Sequence, residues 1–528
     1  MLKKYVYCLL VALMFTMAAC QGNDPEESTS VETNTGDDEN DFVEKQTWDT
    51  TISITWSGAE ATVTGSAEGV TISNTNGYVA VTSTAKHVEY VLSGNGVGQL
   101  TIYSDYKLLL SLNGLTLACT DGPAVNNQCH KTCYVVLAND NTLTDGTAYA
   151  SSDEDRKATI FSEGQLIFSG TGSLNVTGNY KHAVCSDDYV RIREGNLTLA
   201  CSVSDALHSN DGIIINGGDI QLTAANDGIQ CDTSSIVVTG GNIAVSSAGD
   251  KGILAYGNIE ISGGNISINS VGKGIKTQGD LLVSDGVITV TASSSAANRV
   301  ATAGPGGGGQ PGGPGSNGGQ AGGDMNSSSG PEGIEAKGTI TITGGQVYAC
   351  AEDDAVNSGG DMTISGGYVC AYSTGNDGLD ANGNCYIKGG LVYAIGASSP
   401  EVGIDANSEE RKQLYVQGGT MVVIGGLESG ASISQTCYSA SSWSSNTWYA
   451  LYNGTNIVMA FKTPASGGSG LVVSTASTPS LTSGVTLSGG TPIFNGMASV
   501  NPAVSGGTTV SLSSYSGGNT MGGGPGGR

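Results

Sequence analysis

Charged side chains recur at one place in this sequence, two residues before an aliphatic one: His182, Asp205, Asp227, Lys251 and Lys273, then Glu332, Asp354 and Asp377. The position just after the aliphatic residue reads Cys185, His208, Gln230, Leu254 and Lys276, then Glu335, Asn357, Asp380 and Asp405. If these recurrences stack in space, like carboxylates stand one strand apart and raise one another's pKa unless a cation intervenes. Calcium takes about six to eight oxygen ligands, which corner carboxylates and backbone carbonyls can supply. A calcium site is therefore expected at Glu332, Asp354, Asp377 and Asp380, with Glu335 and Asp353 alongside, and a second near Asp205 and Asp227. The alternative is a solvated acidic edge that discourages aggregation.

Three further sets carry chemistry. Lys251, Lys273 and Lys276 form a basic patch beside Asp205, Asp227 and Asp250, where pairing with these aspartates is expected. Tyr348, Tyr368, Tyr372 and Tyr393 share one outward strand face, where tyrosines can stack on sugar rings while Gln221, Asn242, Asn265, Thr289 and Thr291 bond hydroxyls. Cys350, Cys370 and Ile395 make that face more apolar than a sugar platform needs, so packing by a C-terminal cap is favoured there. His182, Cys185, Cys201 and His208 suggest zinc. Yet Cys201 has inward parity while Cys185 and His208 face outward, so the four are not expected to converge.

The elements that position these residues follow from a repeat. Gly172, Gly195, Gly218, Gly241 and Gly264 are spaced at intervals of 23, and Gly286 follows 22 later. After an insertion the pattern resumes at Gly345, Gly367, Gly390 and Gly419. Around each glycine, apolar and polar residues alternate with a period of two, as in Asn216-Gly217-Gly218-Asp219-Ile220-Gln221-Leu222, which indicates strands. A repeat this short cannot bury its apolar face alone. Stacked turns can, with backbone pairing about 4.8 Å apart. The spacing predicts an all-β fold: a right-handed parallel β-helix of about 22–23 residues per turn over 50–425, closed by a β-rich cap and tail over 426–528. A Gly/Pro-rich loop within 293–331 is expected to leave the stack.

Composition agrees. Gly contributes 82 of 528 residues and aromatics 6%, which disfavours a helical enzyme. A net charge of −26 disfavours nucleic acid as a partner. Lys3 and Lys4 precede an apolar run ending Met17-Ala18-Ala19-Cys20, so residues 1–19 read as a lipoprotein signal peptide with Cys20 as the lipidated terminus. Residues 20–49 hold ten acids and one base, Lys45, and read as a solvated tether. A monomer anchored by lipid in the bacterial cell envelope, exposed on the outer membrane, is expected. Ten cysteines beyond Cys8 and Cys20 are too sparse for a disulfide scaffold.

Several segments carry a family resemblance: Leu108-Leu109-Leu110-Ser111-Leu112-Asn113-Gly114-Leu115, Asp121-Gly122-Pro123-Ala124-Val125, Asn141-Thr142-Leu143-Thr144-Asp145-Gly146, Ala158-Thr159-Ile160-Phe161-Ser162 and Gly178-Asn179-Tyr180-Lys181-His182-Ala183-Val184. With the repeats that follow, roughly 85–425 resembles a bacterial parallel β-helix carbohydrate-binding family. That family comprises cellulose- and polygalacturonate-binding domains related in fold to family-nine pectate lyases. The resemblance implies polysaccharide binding with calcium. On the lyase fold, aspartates hold calcium and a lysine removes the proton α to a uronate carboxylate, a role Lys273 would take here. Nothing in the spacing singles out a lysine of lowered pKa, so non-catalytic binding of an acidic or cellulose-like glycan is the leading expectation. Lys273 and Lys276 join the four tyrosines in the carbohydrate-binding set. A calcium-dependent lyase and a structural adhesin are the alternatives.

Overall fold

The computed structural model describes residues 39–294 and 330–517. The signal peptide, Cys20, the first part of the acidic segment, most of the inserted loop and the Gly-rich tail lie outside the described residues. Each repeat contributes three short strands, so the stack has three faces. In one turn, Ile229–Cys231 lies on face 1, Ile236–Val238 on face 2 and Asn242–Ala248 on face 3.

Face 1 is a 13-stranded sheet. Its first pair, Val70–Thr75 with Tyr78–Ser83, is antiparallel, and the later pairings are parallel. Faces 2 and 3 belong to one 28-stranded sheet, because strands such as Ile259–Ser270 and Leu281–Ala292 run through the Gly bend without a break. The stack starts with Thr50–Gly58, which pairs parallel with Val88–Val97.

Register makes the core. Ile220, Ile243, Ile266 and Ile288 are successive partners, followed by Val347, Val369, Val392 and Met421. All are buried, and each is worth about 1.5–3 kcal/mol of burial. The step from Ile288 to Val347 crosses the insertion without loss of register. The loop is therefore expelled between two intact turns.

Glycine is required at the bend for two reasons. Gly218 has φ +88°, a left-handed conformation that L side chains rarely adopt. A Cβ there would also lie 2.7 Å from the Gly195 carbonyl oxygen.

The parallel ladder ends where Leu471–Ser474 pairs antiparallel with Thr420–Ile424. A six-stranded antiparallel sheet then folds back over the last turns of face 3. Its Leu451, Met459, Phe461 and Leu481 pack on Tyr348, Cys370, Tyr393 and Ile395.

The end of the acidic segment departs from expectation. Residues 39–49 do not form a solvated tether. They dock on face 2 through two single-turn 3-10 helices, Glu39–Asp41 and Val43–Lys45. Asp41 is buried, accepts a hydrogen bond from the Tyr189 hydroxyl and pairs with Arg191. Phe42 lies under Arg193, whose guanidinium is 3.4 Å from the ring centroid. Trp48 meets Tyr134 edge-on at 5.6 Å. Acid-rich composition predicts solvation, but two arginines and an aromatic face supply partners that composition does not reveal.

Candidate functional site

Each corner begins with a polar residue followed by Gly or Ala and an aliphatic residue that plugs the core. In the three-residue strand that follows, the flanking residues point inward and the middle one outward. Cys185, His208, Gln230, Leu254, Lys276, Glu335, Asn357 and Asp380 are therefore consecutive register partners. The bridge from Leu379 to Ile404 extends the column towards Asp405. Corner and ladder columns pack side by side, so their charges are largely removed from water. His182, Asp205, Asp227, Glu332, Glu335, Asp354 and Lys276 are all at most 5% exposed.

The corner aspartates share a structural duty. One oxygen of Asp205 accepts the backbone N–H of Asp227 at 3.1 Å, and Asp227 in turn accepts that of Lys251 at 2.8 Å. Asp354 does the same for Asp377 at 3.0 Å, and Asp377 for Val402 at 2.6 Å. Each therefore ties one turn to the next, which accounts for aspartate at the corner without reference to a ligand.

The columns divide into three chemical segments. At the N-terminal end, Asp205 Oδ2 lies 3.2 Å from His182 Nδ1 and 3.0 Å from His208 Nδ1. Burial works to raise the Asp205 pKa, but the two imidazoles outweigh it and hold the carboxyl well below the usual range. Burial likewise opposes charge on His208, yet Asp205 and Asp232 push its pKa up to about 9. Burial dominates at His182 and lowers it to about 4. Asp205 is thus committed to two histidines, and the expected calcium role for it is not supported. Cys185 joins these histidines: His182, Cys185 and His208 offer ligand atoms within 4.8 Å of one another, although the four residues with Cys201 do not converge, as expected. Cys201 points into the core, as its parity predicts.

In the middle segment, Lys251 pairs with Asp250 at 2.5 Å. Lys273 bridges Glu332 and Glu335 at 2.8 Å each, and Lys276 lies 3.7 Å from Glu335. Lys273 and Lys276 therefore pair with glutamates of the next turn rather than with the expected aspartates. Glu332 is withdrawn from the proposed calcium set by the same contact. Burial opposes charge on Lys273, but the two glutamates outweigh it and raise its pKa. A lysine held protonated has no lone pair with which to abstract a proton, so it is unsuited to the lyase-base role. Lys276, 4% exposed, is unavailable as a glycan contact.

The C-terminal segment is acidic. Asp377, Asp380 and Asp405 offer oxygens within 4.8 Å of one another. Burial, with Asp354 and Asp380 adding repulsion, pushes Asp377 up to about 8. Burial also pushes Asp380 up to about 7 and Asp354 to about 6. Asp405 is raised by burial and by Glu428 beside it. Asn357 donates to Asp354 at 3.0 Å and to Asp380 at 2.9 Å. Hard oxygen donors that repel one another fit the donor set of a calcium ion. Asp227, expected as a ligand of a second ion, stands apart from this cluster and is pushed up to about 7 chiefly by burial.

The tyrosine platform is mostly an interface. Tyr348 and Tyr393 are buried under the cap, and Tyr372 packs against the same cluster. The Tyr393 hydroxyl donates to the Lys462 carbonyl at 2.9 Å. Of the four, Tyr368 alone is exposed, at 39%. It sits in a cleft of about 1020 Å³ between face 3 and the cap, with Asn265, Gln346, Ile457 and Asn501. The floor of this cleft is the glycine column, including Gly264, Gly286, Gly345, Gly367 and Gly390, which leaves backbone bare along the stack. A smaller groove continues it through Asn265 to Asn242, Gln221, Asp219 and Thr198. There Asn265 donates to Asn242 at 2.9 Å and Asn242 to Asp219 at 2.5 Å. Sequence reasoning found the polar ladder but not the cleft, because the cap that walls it comes from a region without the repeat.

A family model described as "Carbohydrate-binding domain-containing protein" matches residues 75–378, more than half of the chain. Among solved structures, the polysaccharide lyase-like protein from C. thermocellum, a gadolinium derivative, is similar at 22% identity. That match covers 46% of this chain and 96% of the other, with a TM-score of 0.34. No curated protein matches.

Proposed function

The chain belongs to the carbohydrate-binding domain-containing protein family, and from that premise we propose that it binds a linear polysaccharide non-catalytically in the trough of face 3. The observation that carries the reading is continuity. The cleft and the groove share Asn265 and Val287, so one path runs along several turns, as a polymer requires. Tyr368 supplies a ring face, and the Asn, Gln and Thr ladder supplies donors and acceptors at the interstrand repeat. The bare glycine shelf admits close approach of a flat chain. Asp219 and Asp285 in the lining, on a chain of net charge −26, disfavour a polyanion. A neutral, cellulose-like glycan is therefore the preferred ligand.

Calcium enters this reading at Asp377, Asp380 and Asp405, with Asp354 adjacent. The ion would neutralise largely buried carboxylates that repel one another and would brace the last turns. An N-terminal lipid on Cys20, in the bacterial cell envelope, would hold the protein at a membrane surface as a monomer.

Affinity electrophoresis against cellulose-type, polygalacturonate and host glycans tests the reading. Retardation by a neutral β-glucan, lost in Tyr368→Ala and weakened in Gln221→Ala and Asn265→Ala, is expected. Binding of polygalacturonate alone, abolished by chelator and unaffected by these substitutions, would move the site to the acidic corner.

A further inference from the structure

We propose that His182, Cys185 and His208 form a binding site for one zinc-class divalent ion, separate from both the glycan trough and the acidic corner. Cys185 and His208 are register partners on adjacent strands of face 1, so their side chains leave the sheet side by side. His182 opens the strand His182–Ser186 that carries Cys185. Its ring stacks on His208 with centroids 4.2 Å apart and planes inclined by 25°.

Asp205 sits against Nδ1 of both rings, at 3.2 Å and 3.0 Å. A carboxylate on one ring nitrogen is the arrangement that orients a histidine and leaves the other nitrogen to a metal. One carboxylate does this for two rings here, which aims both Nε2 atoms away from Asp205; that of His208 meets Asp232 Oδ2 at 3.3 Å, a contact that an ion between them would replace. The three ligand atoms lie within 4.8 Å of one another. Ligand atoms on one tetrahedral zinc stand about 3.3–3.6 Å apart for Zn–N of about 2.0–2.1 Å and Zn–S of about 2.3 Å, so side-chain rotations that move the atoms by about 1 Å close the set.

A second observation points to a ligand. His182 is 2% exposed; its Nδ1 faces Asp205 Oδ2 at 3.2 Å, and its buried Nε2 has no hydrogen-bond partner. His208 is accounted for by Asp205 and by Asp232, whose Oδ2 lies 3.3 Å from Nε2. The Nε2 of His182 is not accounted for in this way. An ion on its free nitrogen supplies the missing partner. Asp232, with its side chain 39% exposed, offers a fourth oxygen and marks the side from which an ion enters. Ala158 and Phe161 wall the Cys185 sulfur on the other side.

One thiolate with two imidazoles selects a borderline-soft ion and not calcium. On binding, the Cys185 S–H bond and the His208 Nε2–H bond break, sulfur and nitrogen bond the metal, and both protons pass to the buffer.

Cobalt(II) titration of the purified full chain tests this. A thiolate-to-cobalt absorption saturating at one equivalent is expected, bleached by zinc and untouched by excess calcium. Cys185→Ser should lose the band, whereas Cys119→Ser, a control at another buried cysteine, should keep it. Asp205→Asn should weaken zinc by about 10–100-fold. His182→Gln, with an unchanged far-UV spectrum, should weaken it at least as much. Absence of the band in the unmodified protein overturns the proposal with no variant needed. A band that persists in Cys185→Ser overturns it as well.

Discussion

Raising the pH of the calcium-free protein from about 6.5 to about 8 should destabilise it, the reverse of what salt-bridged carboxylates do. Asp354, Asp377 and Asp380 are pushed from an ordinary 3.8 to about 6, 8 and 7. Between those limits the folded state holds protons that the unfolded chain has already lost, so stability falls as pH rises. For Asp380 alone, the move from 3.8 to about 7 is worth about 4 kcal/mol at ~1.36 kcal/mol per pH unit. Most of that is lost below pH 6.5; within the window the whole set is expected to lose on the order of 2 kcal/mol, because the first carboxylate to ionise suppresses its neighbours. His208 acts in the same sense: raised from 6.5 to about 9, its stabilisation is complete below 6.5 and lost towards 9. His182, lowered from 6.5 to about 4, acts oppositely but only below 6.5. The window above 6.5 is therefore free of its contribution. Calcium at 100 times its Kd restores about 2.7 kcal/mol and should flatten or invert the slope. Asp380→Asn keeps an acceptor for Asn357 while removing one charge, and should flatten it without metal. Urea denaturation followed by circular dichroism, in chelator and in millimolar calcium, measures all three. Stability that is level or rising across the window in chelator, or indifferent to calcium, would refute the reasoning.

Lys273→Met should cost about 3 kcal/mol, the lower end for breaking a buried pair, because Glu335 keeps Lys276 and Lys337. Chemical denaturation checks it, and Glu332→Gln in the same chain should recover part of the loss. Tyr393→Ala should cost about 3–5 kcal/mol, as for a large core aromatic, and expose the cap to proteolysis before the stack. Gly218→Ala should cost at least about 1–2 kcal/mol from the left-handed backbone alone, with the 2.7 Å contact to the Gly195 oxygen adding to it. Thermal melting against a surface Gly→Ala control, Gly454→Ala, gives the comparison, since a Cβ at Gly454 meets nothing within 4 Å.

The repeat was legible because a stack turns a sequence interval into a spatial neighbour. Gly218 and Gly241 follow at 23 residues, and their turns are adjacent. Even the corner column could be read in order from Cys185 to Asp380. Pairing within the column was less legible. The partners of Lys273 are Glu332 and Glu335, which lie across the insertion, whereas Asp227 and Asp250 are nearer in sequence. Stacking parity says that a side chain points outward but not what lies above it. Hence the cap over Tyr393 was read from the apolar character of its face and not from parity, and Asp41 was assigned to water although Arg191 buries it. The corner aspartates were read for their charge, while their hydrogen bonds to the next turn's backbone depend on an oxygen position that no spacing gives.

One repeated position has been filled with three chemistries, and their order along the rod is itself informative. A histidine–aspartate–cysteine group comes first, lysine–glutamate pairs come next, and uncompensated carboxylates come last. The middle segment is internally neutralised through Lys273 and Glu335, so it separates the soft-donor group at one end from the carboxylates at the other. Face 3 bears the glycan reading and contains none of these groups. Ion loading and sugar binding therefore meet only through the backbone ladder that joins the faces. A substitution at Asp380 should change stability while leaving the affinity of the folded protein for glycan intact, and Tyr368→Ala should do the converse. If the two prove inseparable, the trough and the acidic corner are one site, and the division of labour between faces is wrong.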